Sequence, residues 1–299
     1  MSAMRLPRYS LPPSNDTASA NLSILVGAFS HRPHLRSLAR QSWGAALMRP
    51  HEVLWFIVSV GNQSTADRGA VRREAVAHGD MLLVHGRAEA YWSLPYTSLT
   101  FYAAAARSVS CRLVLKTDDD VYVSVPTLRR LLPLILPTGI YAGYVYGRIR
   151  PTRDAQSKYA DGIFAPQHAA RLPHATQRTA AGESDLMYPP FVDGIGELLS
   201  FDVVRCIASR LAQYEVPSTL ADVVTGHAAS TLCGVQPCGG RTGGCLPLPA
   251  SERAAWPLLP SGEFTLFVRH TDKAIVVEPY RGRLRFKLVP NRRARRRRR

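Results

Sequence analysis

The chain has 299 residues, 46% hydrophobic and 20% charged, which excludes a disordered polymer and allows one large or two modest domains with a real core. Its 38 Lys+Arg against 22 Asp+Glu give a net charge of +16, a balance that taken alone suggests nucleic acid or a membrane surface as partner. Eleven of the basic residues and no acidic one lie in 281–299, however, so the other 280 residues carry a net charge of only +5.

The first half alternates strand-like and helix-like segments, the pattern of an α/β sandwich built on a mostly parallel sheet. Residues 21–29 (NLSILVGAF) form a short apolar run closed by Ser30 and Pro33 and read as the first buried strand. A helix is expected over 34–47. Residues 52–60 (EVLWFIVSV) make the strongest strand of the chain, followed by a polar turn, a helix over 66–78 and a short strand over 81–84. Residues 93–109 read as a helix, and 112–115 as a strand leading straight into three aspartates. Pro126 suits the first turn of the next helix, to 136. Beyond it 140–146 is strand-like, whereas 148–184 is polar, Ala-rich and aperiodic and is expected as a loop region. Ser200 is placed to cap a helix running to 214, and a second helix is expected over 217–232. Residues 264–269 are the last strand-like run before His270 and the basic tail. No internal repeat is visible.

The chemical centre is Asp118-Asp119-Asp120, at the end of the apolar strand. Three adjacent carboxylates are electrostatically costly unless a cation or hydrogen-bond donors meet them, and strand ends are where α/β sheets place ligands. Hard carboxylate oxygens suit Mg²⁺ or Mn²⁺, which in turn neutralise a diphosphate; a solvated acidic turn is the alternative. The segment Asp193-Gly194-Ile195-Gly196, after Tyr188-Pro189-Pro190, supplies a rigid turn and then residues that permit close backbone approach to a ligand. It lacks the spacing of a dinucleotide fingerprint, and no P-loop or G-x-S-x-G pattern occurs.

Five motifs in order, ARQSWG (39–44), HGDMLLV (78–84), LVLKTDDDVYVSVPTL (113–128), YPPFVDGIGELLS (188–200) and ADVVTG (221–226), resemble the β-1,3-galactosyltransferases of glycosyltransferase family 31 over 22–275. The resemblance implies a GT-A-like single domain of α/β class, with a mixed, mostly parallel sheet flanked by helices, spanning 22–280 between a polar N-terminal segment (1–21) and an Arg-rich tail (281–299). It implies Mn²⁺ and an inverting transfer from UDP-galactose or UDP-N-acetylglucosamine to a glycan acceptor on a glycoprotein or glycolipid. Position by position, Arg36 and Arg40 fall in the first nucleotide-site motif, and Trp43 beside them reads as core packing. Asp118 and Asp119 fall near the uridine and ribose, and Asp193 and Gly196 in the donor and acceptor pocket. Asp120 and His270 are the expected metal ligands. Asp222 is the expected base: inverting transfer needs one carboxylate to take the acceptor's proton, while a metal-stabilised diphosphate leaves without a second protein acid.

The chain departs from the family pattern at Ala221, where a glutamate precedes the base, and at Ser93 and Thr97, where an asparagine and a lysine stand. A catalytically inactive UDP- or glycan-binding relative is therefore the alternative. The resemblance also implies a Golgi location as a type II membrane protein whose anchor is absent from this sequence, which contains no run of about 18 apolar residues. Three of the four asparagines (Asn15, Asn21, Asn62) sit in N-x-[ST] sequons, consistent with a secretory lumen. The five cysteines allow up to two disulfides with one thiol over, and Cys233, Cys238 and Cys245 read as a disulfide-stapled loop rather than a zinc site. Nucleic acid is not the expected partner, because that reading rests on the tail alone.

Overall fold

The computed structural model describes residues 5–12, 21–47, 49–61, 63–86, 90–147, 149–157, 159–164, 186–238, 246–247, 264–269, 273–280 and 283–290. In chain order its elements begin with β1 (Tyr9–Ser10), β2 (Asn21–Phe29), α1 (Pro33–Gln41), α2 (Trp43–Ala46), β3 (Glu52–Ser59), α3 (Thr65–His78) and β4 (Met81–Val84). There follow α4 (Leu94–Ser108), β5 (Ser110–Asp118), β6 (Val121–Val123), α5 (Val125–Leu131), β7 (Tyr141–Ala142), β8 (Val145–Tyr146), β9 (Phe191–Val192) and β10 (Glu197–Ser200). The last are α6 (Phe201–Arg210), α7 (Ala221–Cys233), β11 (Leu246–Pro247), β12 (Phe264–Arg269), β13 (Lys273–Tyr280) and β14 (Arg283–Pro290).

The central sheet runs β1-β4-β3-β2-β5-β10-β7. Strands β4, β3, β2 and β5 are mutually parallel, and β1, β10 and β7 add antiparallel edges. Side chains alternate between the faces as a strand period of two demands. Ile24, Val26, Ala28, Leu113 and Leu115 join Trp43, Val71 and Leu128 under α1–α3 and α5. Leu25, Phe29 and Val114 join Phe101, Val203 and Val224 of α4, α6 and α7 on the other face. Helices thus cover both faces of a mostly parallel sheet, as expected.

Strand order reverses at β2. The chain proceeds outward through β3 and β4, then returns to lay β5 on the other side of β2. Ligands of open α/β sheets bind outside the carboxyl ends of the strands at such a reversal. Here those ends are Phe29 and Asp118, which are register partners.

Several local expectations change. The helix expected over 34–47 is two helices, broken at Ser42. The strand expected over 140–146 divides into β7 and β8 around Gly143, where a Cβ would lie 2.3 Å from Val192 Cγ1. Ser200 precedes α6, but its hydroxyl accepts the Ile140 N–H across the sheet at 2.8 Å and does not cap the helix. The helix expected from 217 starts at Ala221, because Ser218 and Thr219 are engaged elsewhere. Tyr9–Ser10, within the expected polar N-terminal segment, pairs with β4. Part of the expected tail is strand: β14 pairs with β13 over Arg283–Pro290, in a second sheet ordered β11-β14-β13-β12-β6. Cys206 and Cys233 form a disulfide that ties α6 to the end of α7; Cys238 is also disulfide-bonded, and Cys111 is a buried free thiol. Cys245 lies outside the described residues.

Candidate active site

A cleft of about 490 Å³ opens beside the end of β5. Lys116 and Asp118 reach it from that strand, Asp193, Gly194 and Ile195 from the turn between β9 and β10, and Ala221 and Asp222 from the first turn of α7. Tyr146, Tyr188 and Phe191 give it aromatic walls, and Tyr91 and Tyr159 meet edge to face at 5.9 Å on its outer side.

The segment before α7 is fixed by a carboxylate. Asp161 is fully buried; its Oδ2 accepts the Tyr188 hydroxyl at 2.8 Å and the Ser218 hydroxyl at 2.6 Å, and its Oδ1 accepts backbone N–H groups of Ile163, Phe164 and Thr219. Five donors on one carboxylate satisfy it without a counter-ion. The knot joins the 149–164 segment to the approach to α7, and so places Asp222. Gly226, one turn on, lets α7 lie against β9: a Cβ there would come 2.8 Å from Phe191 Cβ and from the Pro190 carbonyl oxygen.

Asp222 sits in the cleft wall, its Oδ1 accepting the Val223 N–H at 3.0 Å. Burial, reinforced by the charges of Glu197 and Asp193 and opposed by Lys116, pushes its carboxyl up to about 7. A carboxylate near neutrality is matched to general-base work at physiological pH. Lys116 and Glu197 are cross-strand register partners, both buried, with Nζ 2.6 Å from Oε1. Burial opposes the lysine's charge, but the Glu197 carboxylate, with Asp118 and Asp222 adding to it, outweighs burial and holds the ammonium protonated. Tyr102 on α4 donates to Glu197 Oε2 at 3.4 Å.

The structure separates the aspartate triplet. Asp118 faces the cleft. Asp119 is buried: its Oδ2 accepts the Ser30 hydroxyl at 2.9 Å, its carboxylate pairs with the Arg32 guanidinium, and its N–H donates to the Phe29 carbonyl. Asp120 Oδ2 lies 3.8 Å from the same guanidinium. Ser30 and Arg32, just beyond β2, are thus site residues that motif reading missed; the signal was their place at the carboxyl end of the strand paired with β5. Asp193 reaches the cleft and accepts the Tyr146 hydroxyl at 3.0 Å. Gly196 does not: it is buried behind the turn, against Gly143, and Gly194 takes the cleft-facing position.

Arg36 and Arg40 do not reach this cleft. Arg36 is fully buried, its Nε donating to Glu74 at 2.8 Å, with a second contact to Ser30 Oγ at 3.4 Å. Arg40 pairs with Asp80 through Nε at 2.7 Å and Nη2 at 2.8 Å, bonds Glu74 through Nη1 at 2.7 Å, and stacks over Phe56 at 4.8 Å. It borders a separate cavity of about 530 Å³ together with Glu74 and Asp80. Both guanidinium groups are committed to carboxylates of α3 and the α3–β4 turn, so their placement is that of fold-holding ion pairs. Trp43 is core, as expected.

His270 lies outside the described residues; β12 ends at Arg269, the register partner of Val121, which follows Asp120. Among the described residues no three His, Cys, Asp or Glu side chains are grouped to hold a metal. That does not conflict with a hard divalent cation working on a diphosphate, which takes one or two carboxylates and completes its shell with phosphate oxygens and water. Asp120, the expected ligand among the described residues, offers the hard carboxylate oxygen that such a cation takes.

Helices on both faces of a mostly parallel sheet, with an acidic cleft at its reversal of strand order, make this a GT-A-like domain. A family model for galactosyltransferases matches residues 34–237, and the chain belongs to that family. It is 27% identical over 246 residues to the mouse (Mus musculus) protein beta-1,3-galactosyltransferase 4, covering 70% of this chain and 59% of that one. It is 28% identical over 195 residues to mouse beta-1,3-galactosyltransferase 6, covering 63% and 54%. The chain therefore spans rather more than half the length of these relatives. Among solved structures it is similar to a mannosyltransferase from Pyrobaculum calidifontis in complex with GDP-Man and Mn²⁺, at 15% identity and a TM-score of 0.37 over 77% of this chain and 57% of that one.

Proposed function

We propose that the chain is an inverting glycosyltransferase that moves galactose, or N-acetylglucosamine, from a UDP-sugar to a glycan hydroxyl on a glycoprotein or glycolipid, forming a β-1,3 linkage. The observation that carries this reading is Asp222: a carboxyl raised to about 7, set in the wall of a cleft that it shares with Asp118 of the triplet. Asp222 accepts the proton of the acceptor hydroxyl as its oxygen bonds to the anomeric carbon. The bond from that carbon to the diphosphate breaks on the opposite face, and the configuration inverts. Asp193, Gly194 and the aromatic walls orient the two sugars, and Asp118 lies toward the nucleotide. Asp119 acts indirectly, fixing Arg32 beside the triplet.

Asp120, with His270, would hold a divalent cation, Mn²⁺ by the resemblance; when bound, it neutralises the departing diphosphate. The same reading places the protein at the Golgi membrane; no helix among the described residues is long and apolar enough to cross a bilayer. The test is UDP release with UDP-galactose and UDP-N-acetylglucosamine over a panel of glycan acceptors, with and without Mn²⁺, and linkage analysis of the product. Metal-stimulated release with one donor and a β-1,3 product is expected. UDP binding without turnover would instead establish the inactive relative, which Ala221 and Thr97 motivate.

A further inference from the structure

Lys116 Nζ and Asp222 Oδ2 flank one point: a Cβ on Gly194 would lie 3.7 Å from the first and 3.9 Å from the second. Residue 194 itself places no side chain between them. An ammonium with such access to a buried carboxylate would ordinarily close on it, and a carboxylate locked to a cation is a weak base. What holds the ammonium away is Glu197, 2.6 Å from Nζ on the neighbouring strand, with the Phe29 ring 5.3 Å from Nζ as a second support.

We propose that Glu197 is a positioning residue for the transfer reaction: by capturing Lys116 across the β5–β10 pair, it leaves the Asp222 carboxylate free to take the acceptor's proton. This rests on the functional reading above and deepens it. It also gives a role to a buried ion pair which, as a contributor to stability alone, is weakly favoured.

The other groups around Asp222 do not substitute for Glu197. Asp118 from β5, Asp193 from the β9–β10 turn and Arg150 from the outer segment line the same cleft. Tyr141 of β7, Tyr146 of β8 and Tyr188 before β9 feel the Asp222 charge, and each is raised mainly by burial, so all three stay neutral at working pH. Tyr102 of α4 faces Glu197. Among the described residues Lys116 is the cation whose charge acts on the base, and Glu197 is its direct carboxylate partner.

The experiment is the pH dependence of kcat in the wild type, Glu197→Gln, Glu197→Asp and the double variant Lys116→Gln/Glu197→Gln, with Asp222 followed in parallel by ¹³C-carboxyl NMR titration. Glu197→Gln removes a charge that raises Asp222 and releases Lys116 to it, so the acidic limb and the NMR midpoint should move down by about one pH unit and plateau kcat should fall about tenfold. Glu197→Asp, which keeps the charge, should retain the wild-type limb. The double variant removes both opposing charges and should return the limb most of the way. Should Glu197→Gln alone not fold, the double variant decides: a midpoint near wild type supports the proposal, and one displaced by a full unit overturns it. An unshifted midpoint in folded Glu197→Gln overturns it as well. Absence of wild-type turnover with any donor would refute the functional reading, while the NMR midpoints still decide the Lys116–Glu197 claim.

Discussion

Replacing Glu74 by glutamine tests what Arg36 and Arg40 are for. Glu74 Oε1 receives Arg36 Nε at 2.8 Å and Arg40 Nη1 at 2.7 Å. The Arg36 side chain is 0% exposed and that of Glu74 17%. Removing one partner of a buried pair costs about 3–5 kcal/mol, because the other charge stays buried without compensation. Arg40 retains Asp80, and Glu74 sees some solvent, which lowers the expectation to about 2–4 kcal/mol. Against a total stability of about 5–15 kcal/mol this is a large fraction, equivalent to a Tm lower by about 3–6 °C for a chain of this size. Urea unfolding followed by tryptophan fluorescence measures it, with UDP affinity determined in parallel. A midpoint unchanged within about 0.5 kcal/mol, together with weakened UDP binding, would refute the structural assignment and restore the arginines to the nucleotide site. The pH dependence carries its own sign. Burial alone would raise the Glu74 carboxyl, but hydrogen bonds from Arg36 and Arg40 outweigh it and hold it below the ordinary glutamate value. The network's stabilisation is therefore complete above that ordinary value and is lost as pH falls through the depressed one.

Gly226→Ala should force α7 off β9, since the nearest atoms are Pro190 and Phe191 backbone and Cβ; a loss of about 1–3 kcal/mol by urea unfolding is expected, with kcat reduced through displacement of Asp222. Removing the Cys206–Cys233 disulfide, whose cysteines are 27 residues apart, by the double substitution Cys206→Ala/Cys233→Ala should cost about 3.5 kcal/mol on chain-entropy grounds, read as a lower Tm. Wild-type kcat should fall as pH drops through about 7, because Asp222 must be ionised to act as base; a profile flat from 5 to 8 would exclude it.

The parts of the fold set by local composition were legible in the sequence. Strands β2, β3 and β5 are apolar runs long enough to be buried on both faces, and each appears within a few residues of its expected bounds. Asp222 and Asp118 were named through the family resemblance, whose motifs are contiguous, and the structure brings both to one cleft. The parts that failed depend on partners distant in sequence. Nothing near Arg36 says that Glu74, on another helix, will meet it. Asp161 gave no signal within an aperiodic stretch, since its five donors come from three separate segments. The Lys116–Glu197 pair exists only through the antiparallel register of β5 and β10, and the Asp119–Arg32 pair only through the reversal of strand order that brings β2 beside β5. Gly194 and Gly196 stand two residues apart in one motif, and only the turn geometry tells which one faces the cleft.

The central claim is that Asp222 performs the proton transfer in a cleft that binds a UDP-sugar. It is tested most directly by comparing Asp222→Asn with the wild type in two measurements on the same protein: single-turnover transfer to a glycan acceptor, and donor affinity by calorimetry in the presence of Mn²⁺. The account predicts transfer lower by about 10²–10⁴-fold with donor affinity and urea midpoint unchanged. Transfer within a few-fold of wild type, or a loss of donor affinity equal to the loss of turnover, would contradict it.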